Sequence, residues 1–510
     1  MGRLQQTTKN IAFGYIGNIT SSVLGFILRT VFIMKLDETL LGINGLYTGV
    51  LSMLSMAELG IGTALNYSLY GPVARKDYDK IKSYMLLYKK SYRIIGAVVA
   101  VIGLALVPFL KYFIKSPGNY GMQELTVYYL IFLFNTVSTY FVSYKYSLVN
   151  AEQKNYIQTN VLTITKLVTV ILQMVVLLLT ANFLFYLLTA AMVELIQKIY
   201  VSRYLDKLYP YLKDKDVKPL EKEETDVIVT KTKALICLKV GDVARLQTDS
   251  IIISSFIKVS VVGIVDNYNM VINSISAFVN IIFNSAISSF GNLIATESKQ
   301  KQYEIFKIYR FAANWIYGLS AVGFFLLLSP LIELWLGKHW LLRELTVGLV
   351  LLDYYFRGDR IVMANFKTAA GVFEQDKFLP LIQGAVNLVI SIVFVQKIGL
   401  VGIYIGTVVS GIIANIVKPF IVYPVCFDRK AGEYFKDYAC YLIPTFLILG
   451  ICMLLKRSIL AELTLVRLIV MGILIVVVYN IIWIAAFSKT KEFQYMIHVL
   501  KEKVLGRIRK

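Results

Sequence analysis

Apolar runs long enough to span a bilayer recur from one end of the chain to the other, separated by short polar stretches. About 20 apolar residues carry a helix across the hydrocarbon core. The segments at 11–34, 41–69, 94–114, 125–149, 157–180, 183–204 and 234–257 meet that condition, as do 261–295, 311–336, 345–366, 378–396, 400–425, 438–455 and 466–487. They predict an all-α polytopic membrane protein of about fourteen transmembrane helices. The alternating strands of a closed barrel, the other structure that satisfies a backbone in lipid, do not occur. The first run is too long for a signal-peptide core and has no small-residue cleavage site, so it reads as an uncleaved span.

The pattern repeats at an offset of 221–222 residues. Leu41-Gly42-Ile43 recurs as Val262-Gly263-Ile264, and Tyr47 as Tyr268. Pro108 answers to Pro330, Glu152-Gln153 to Glu374-Gln375, and Tyr156 to Phe378. Six spans per repeat is an even number, so both halves enter from the same side, and such parallel repeats hold substrate sites between them. The expected organisation is a six-helix lobe at 1–205, a cytoplasmic linker at 206–232, and a second lobe at 233–430. Two extra helices with a basic tail fill 431–510 and look like an appendix to the duplication.

Composition agrees with membrane residence: 57% of the 510 residues are hydrophobic, 17% are charged, and mean hydropathy is +0.65. The net charge of +21 would fit nucleic acid if it were spread as a patch. Instead Lys and Arg gather in alternate loops. Arg75, Lys76, Lys80, Lys82, Lys89, Lys90 and Arg93 follow the second span; Lys299, Lys301, Lys307 and Arg310 follow the eighth; and others cluster after the sixth and at the C-terminus. This positive-inside asymmetry places both termini in the cytoplasm and excludes nucleic acid as the partner. Cys237, Cys426, Cys440 and Cys452 have no metal-site spacing, and His339 and His498 are the only histidines. No phosphate-binding glycine loop, HExxH or GxSxG motif occurs, and the outer loops are short. These features predict no cofactor, no metal and no enzyme.

Charges within the spans are the informative residues, because each costs about 2.5–3.5 kcal/mol at a helix centre unless it faces a cavity or a partner. Lys239, Asp242, Arg245 and Asp249 share one face of the seventh span, and Asp353, Arg357 and Arg360 one face of the tenth, with Asp359 off that stripe. The eighth carries Asp266, Asn269, Asn273, Asn280, Asn284 and Ser288. Arg29, Glu58, Lys166 and Glu194 lie in the first, second, fifth and sixth. Arg245–Asp249 and Asp353–Arg357 stand one turn apart, so local ion pairing and a shared polar chamber are both open for them. Arg29 and Lys166 have no carboxylate one turn away.

The run Glu58-Leu59-Gly60-Ile61-Gly62 leads into Asn66-Tyr67-Ser68-Leu69-Tyr70-Gly71-Pro72, then Asp77-Tyr78-Asp79-Lys80-Ile81-Lys82 and Tyr88-Lys89-Lys90-Ser91-Tyr92-Arg93-Ile94-Ile95-Gly96. It resembles the Wzx-type polysaccharide-biosynthesis flippases of the multidrug/oligosaccharidyl-lipid/polysaccharide exporter superfamily. Ile81, Tyr84, Leu87 and Tyr88 in this stretch fit a surface helix at the lipid interface. The resemblance implies two six-helix lobes plus two helices, a central cavity, alternating access and a bacterial inner-membrane location. It implies a substrate too: an oligosaccharide on undecaprenyl diphosphate, moved from the cytoplasmic to the outer leaflet. Implied partners are the bilayer, a coupling ion (sodium or proton), and the polymerase and glycosyltransferases of the pathway. The cationic cavity so implied falls on Arg29, Lys166, Lys239, Arg245, Arg357 and Arg360, with Glu58, Asp242, Asp249, Asp266, Asn273 and Asp353 as polar or coupling groups. A peptidoglycan-precursor flippase and a cation-coupled multidrug exporter are the alternatives within the superfamily.

Overall fold

The computed structural model describes residues 3–214, 217–372 and 374–508, and every regular element among them is helical. By contacts the chain divides into two compact units, Met1–Asp266 with Pro380–Leu388, and Asn267–Leu379 with Val389–Lys510.

The first unit holds α1 (Arg3–Lys35), α2 (Glu38–Leu54), α3 (Met56–Arg75) and α4 (Tyr78–Leu106). It continues through α5 (Met122–Ala151), α6 (Tyr156–Thr180), α7 (Phe183–Leu208), α8 (Lys222–Leu246) and the first turns of α9 (Val259–Asn284). Helix α1 packs along α6, α3 along α8, α4 along α5, and α7 against both α5 and α6. Glycines let α2 cross the start of α9 at backbone distance. A Cβ at Gly42 would fall 1.9 Å from the Val259 carbonyl oxygen, and one at Gly45 would fall 2.1 Å from an Asp266 carboxylate oxygen. Gly263 in turn sits against the Gly42 nitrogen and Leu41. Gly42 and Gly263, like Gly45 and Asp266, are 221 residues apart, so the crossing joins positions equivalent in the repeat.

Asp214, Lys218 and Glu224 of the expected linker meet the start of α4: Lys80 pairs with Glu224 at 2.6 Å, Lys82 with Asp214 at 3.2 Å, and the Ser83 hydroxyl donates to the Lys218 carbonyl at 2.6 Å. Ile81 and Tyr88 are therefore buried within the protein, and the Tyr88 hydroxyl donates to the Gly62 carbonyl at 2.6 Å. This corrects the reading of that segment as a separate lipid-surface helix; it is the beginning of α4. Strong contact with α3 groups α8 into the first compact unit, whereas sequence repetition assigns it to the second lobe.

The second unit holds the rest of α9 with α10 (Ala286–Thr296), α11 (Lys299–Leu336), α12 (Glu344–Ala369), most of α13 (Leu379–Ile398), α14 (Leu400–Phe427), α15 (Gly432–Ile459), α16 (Leu465–Phe487) and α17 (Lys491–Ile508). Helix α11 is its spine. Arg310, read from the sequence as a cytoplasmic-loop cation, is 1% exposed within α11. Its Nε donates to Asp359 on α12 at 3.2 Å, Nη1 to the Tyr423 hydroxyl at 3.2 Å, and Nη2 to the Tyr434 carbonyl at 3.2 Å. The guanidinium lies 4.0 Å from the Tyr434 ring centre. Asp359 also accepts from Asn314 at 2.8 Å and from the Tyr434 hydroxyl. Asp359, off the α12 stripe in sequence, thus ties α12 to α11 and α15, and Arg310 extends the cluster to α14 through Tyr423.

The last two spans, expected as an appendix, are part of this core. Trp483 is fully buried, stacked with Tyr479 and Tyr441, in a cluster with Phe311, Ile448 and Met471. Trp315 on α11 donates to Asn480 on α16 at 3.1 Å.

Among the described residues, eleven helices are long and apolar enough to cross a membrane, against the expected fourteen. Three expected segments, 41–69, 234–257 and 345–366, are not among them. The 41–69 segment is divided at Ser55 into α2 and α3, and the Ser55 hydroxyl turns back to the Leu51 carbonyl at 2.8 Å. Helices α8 and α12 carry the charge stripes that lower their hydropathy.

The buried ion pair yields a stability prediction. Asp359→Ala removes the buried carboxylate bonded to the Arg310 guanidinium, leaving Asp437 at 3.8 Å as its remaining acid, and should cost about 3–5 kcal/mol. Thermal unfolding of the detergent-purified protein would read this; a melting temperature equal to wild type would refute it.

Candidate functional site

A cavity of about 670 Å³ opens within the first unit, between α2, α5, α6 and α7. Helical spacing builds it. On α5 the lining positions are Asn135, Thr139, Ser143 and Tyr146; on α6, Gln158, Leu162, Lys166, Thr169 and Gln173; on α7, Leu187, Ala191, Glu194 and Lys198. Steps of three and four keep each set on one helical face. Helix α6 stops where Ala181 takes a left-handed conformation (φ 47°), and the Asn182 side chain caps α7 by accepting from the Phe185 amide at 3.2 Å. This tight connection sets α6 and α7 antiparallel with their polar faces on a common space.

Two ammonium groups reach the cavity with different surroundings. Lys198 is buried and saturated: it donates to the Asn135 carbonyl at 2.8 Å, the Asn135 side chain at 2.7 Å and the Ser138 hydroxyl at 2.9 Å, with Glu194 at 3.6 Å. Lys166 is exposed to the cavity and has no hydrogen-bond partner among the described residues; its electrostatic neighbours are Glu194 and Arg29. Arg29 on α1 lies near Tyr186, a lining residue, and interacts electrostatically with Asp266. One of its terminal nitrogens, Nη1, is buried without a hydrogen-bond partner among the described residues. Three of the sequence-selected residues, Arg29, Lys166 and Asp266, therefore belong to one electrostatic cluster with Glu194.

The other selected residues stand elsewhere. Glu58 on α3 bonds with the Tyr92 hydroxyl. On α8, Asp242 is exposed and Arg245 buried; Asp249 opens the short turn that follows, and the side chains of Lys239 and of Ser288 lie outside the described residues. Asn273 on α9 is exposed. In the second unit Arg357, 44% exposed, pairs with buried Asp353 at 3.0 Å, the local pairing that its spacing left open. Arg360 is buried and donates to the Gly411 carbonyl of α14.

Lys198 was missed by the sequence reading, although Glu194 and Lys198 four apart on one helix were available as a signal. Lys145 and Lys367, 222 residues apart, were missed as well. Both are buried lysines paired with aspartate, Lys145 with Asp206 at 2.6 Å and Lys367 with Asp376 at 2.6 Å.

The fold is that of a known class of membrane protein. A lipid II flippase, MurJ in an inward closed conformation, superposes with a TM-score of 0.67 at 15% identity, covering 94% of this chain and all of that one. A variant of the Vibrio cholerae MATE transporter VcmN gives 0.58 at 15% identity, covering 84% and 98%. An inward-facing multidrug resistance MATE family transporter of the MOP superfamily gives 0.56 at 15% identity, covering 78% and 92%. No curated protein matches the sequence. The eleven apolar helices and this fold define a multi-pass membrane protein with the architecture of the MOP superfamily. A family model described as polysaccharide biosynthesis protein matches residues 7–288, and the chain belongs to that family.

The two cavity lysines should separate in stability. Lys198→Met removes charge-assisted bonds to buried partners and should cost about 1.5–3 kcal/mol. Lys166→Met, at an exposed side chain, should stay within about 0.5 kcal/mol of wild type. Equal losses in thermal unfolding of the two variants would contradict the assigned surroundings.

Proposed function

We propose that the chain is a flippase that moves undecaprenyl-diphosphate-linked oligosaccharide from the cytoplasmic to the outer leaflet by alternating access, for surface polysaccharide synthesis. The observation that carries this reading is the pair of cations, Arg29 and Lys166, that reach the cavity region with unused donors. A guanidinium buried with an open Nη1 is costly unless an acceptor arrives. A diphosphate supplies several acceptors, and arginine binds it with a planar fork that stays charged. The family description and the lipid II flippase fold support a lipid-linked sugar as cargo. In this reading the head group enters the protein while the polyprenyl tail remains in the bilayer. The chain works in the bacterial inner membrane with cytoplasmic termini, beside the glycosyltransferases that make its substrate and the polymerase that uses it. Sodium or protons drive it, and it performs no chemistry on the substrate.

Glu194 and Asp266 favour a second reading, a cation-coupled multidrug exporter, because carboxylates in the same cluster suit cationic drugs. The charge balance favours the first: three cations, Arg29, Lys166 and Lys198, share the cluster with two acids, Glu194 and Asp266, which leaves a net positive charge suited to an anionic head group.

Deletion of the gene should remove surface polysaccharide and accumulate an undecaprenyl-linked glycan in the inner leaflet. Arg29→Ala and Lys166→Ala, expressed at wild-type level, should fail to restore export. Normal surface polysaccharide in the deletion strain, together with heightened sensitivity to cationic drugs, would replace this reading with the exporter.

A further inference from the structure

The cavity carries more hydrogen-bonding capacity than a diphosphate uses, and most of it is neutral. We propose that the faces of α5 and α6 around Ser143 and Thr169 form a glycan subsite, which grips the sugar of the lipid-linked substrate separately from the cations; this rests on the flippase reading above.

The carrying observation is the fate of the helix hydroxyls. In this unit Ser and Thr side chains commonly bond back to their own helix. Thr136 donates to Phe132 at 3.0 Å, Thr139 to Asn135 at 3.0 Å, Thr163 to Thr159 at 2.9 Å and Thr180 to Val176 at 2.7 Å. Ser143 and Thr169 do not: their oxygens are buried without a hydrogen-bond partner among the described residues, and both residues line the cavity. Thr169 is only 7% exposed. A buried hydroxyl without a partner is uncommon and calls for a ligand or water.

The neighbouring amides are similarly half used. Gln173 donates through Nε2 to the Tyr186 carbonyl at 3.1 Å, and Gln197 through Nε2 to the Tyr146 hydroxyl at 3.4 Å, which leaves their amide oxygens as acceptors. Asn135 is not available in this way, because Lys198 occupies its oxygen. Hydroxyls that both donate and accept, beside amide oxygens, match the hydroxyl groups of a sugar better than they match an anion, which only accepts. Ile131, Phe132, Leu162 and Leu187 supply the apolar surface for the C–H faces of the rings. At about 670 Å³ the cavity falls within the range of small-molecule sites, roughly 300–1,000 Å³, and exceeds the needs of a diphosphate.

The test uses the full-length protein in nanodiscs and two probes, bare undecaprenyl diphosphate and the undecaprenyl-diphosphate-linked glycan isolated from the deletion strain. Wild type should bind the glycan-bearing lipid more tightly. Ser143→Ala combined with Thr169→Val should lose about tenfold of that preference, the scale of two net hydrogen bonds, with unchanged affinity for the bare lipid. Thr169→Ser in the Ser143→Ala background should recover part of it, and Lys166→Met should weaken both lipids equally. A double variant that keeps the full preference, or a wild type that has none while binding both lipids, would overturn the glycan subsite alone. Binding of neither lipid would overturn the flippase reading and the subsite with it.

Discussion

Hydrocarbon offers no water to bond with, so a chain that crosses it repeatedly must satisfy every backbone group by helix and every charge by a partner. The second constraint organises this protein. Arg310 and Asp359 meet it inside the second unit, where each guanidinium nitrogen has an acceptor and the carboxylate has three donors. Such a cluster is costly to assemble and far costlier to break, so it holds α11, α12, α14 and α15 in one arrangement. Lys145 and Lys367 do the same at equivalent places in the two repeats.

Against that background the exceptions carry information. Arg29 keeps an unbonded nitrogen, Lys166 keeps its donors, and Ser143 and Thr169 keep their hydroxyls. These four belong to one region, although they come from α1, α5 and α6. Arg310, Lys145, Lys198 and Lys367 are saturated; unpartnered polar atoms also occur in the packed core, at Tyr479 and Trp483, so what sets these four apart is their place at or beside a cavity. That contrast separates residues that build the molecule from residues that meet a ligand more sharply than charge alone does.

Much of the fold was legible in the sequence because span length, loop charge and repetition are one-dimensional properties. The offset that matches Gly42 to Gly263 and Tyr47 to Tyr268 has direct structural counterparts. The glycines face each other at a backbone crossing, and each tyrosine anchors near the start of the fourth span of its repeat, Tyr47 on the Leu125 carbonyl at 2.8 Å and Tyr268 on the Leu342 amide at 3.1 Å. The site was less legible. A stripe of charge on one helix shows direction but not distance. Spacing left both outcomes open for Arg357, which is paired with Asp353, and it could not bring Arg29 to Asp266 or Lys166, which lie far from it in the chain. Arg310 looked like a loop residue because basic residues precede it on the same helix.

The sequence alone determined that the chain is helical, crosses the membrane many times, and is duplicated, because hydrophobic length and repeat spacing need no partner to be expressed. Only the tertiary structure decided which charges neutralise one another, that the last two spans complete a core around Trp483, and that α5, α6 and α7 enclose a polar space. Those outcomes depend on distances between residues far apart in the chain, and the packing of helices sets them.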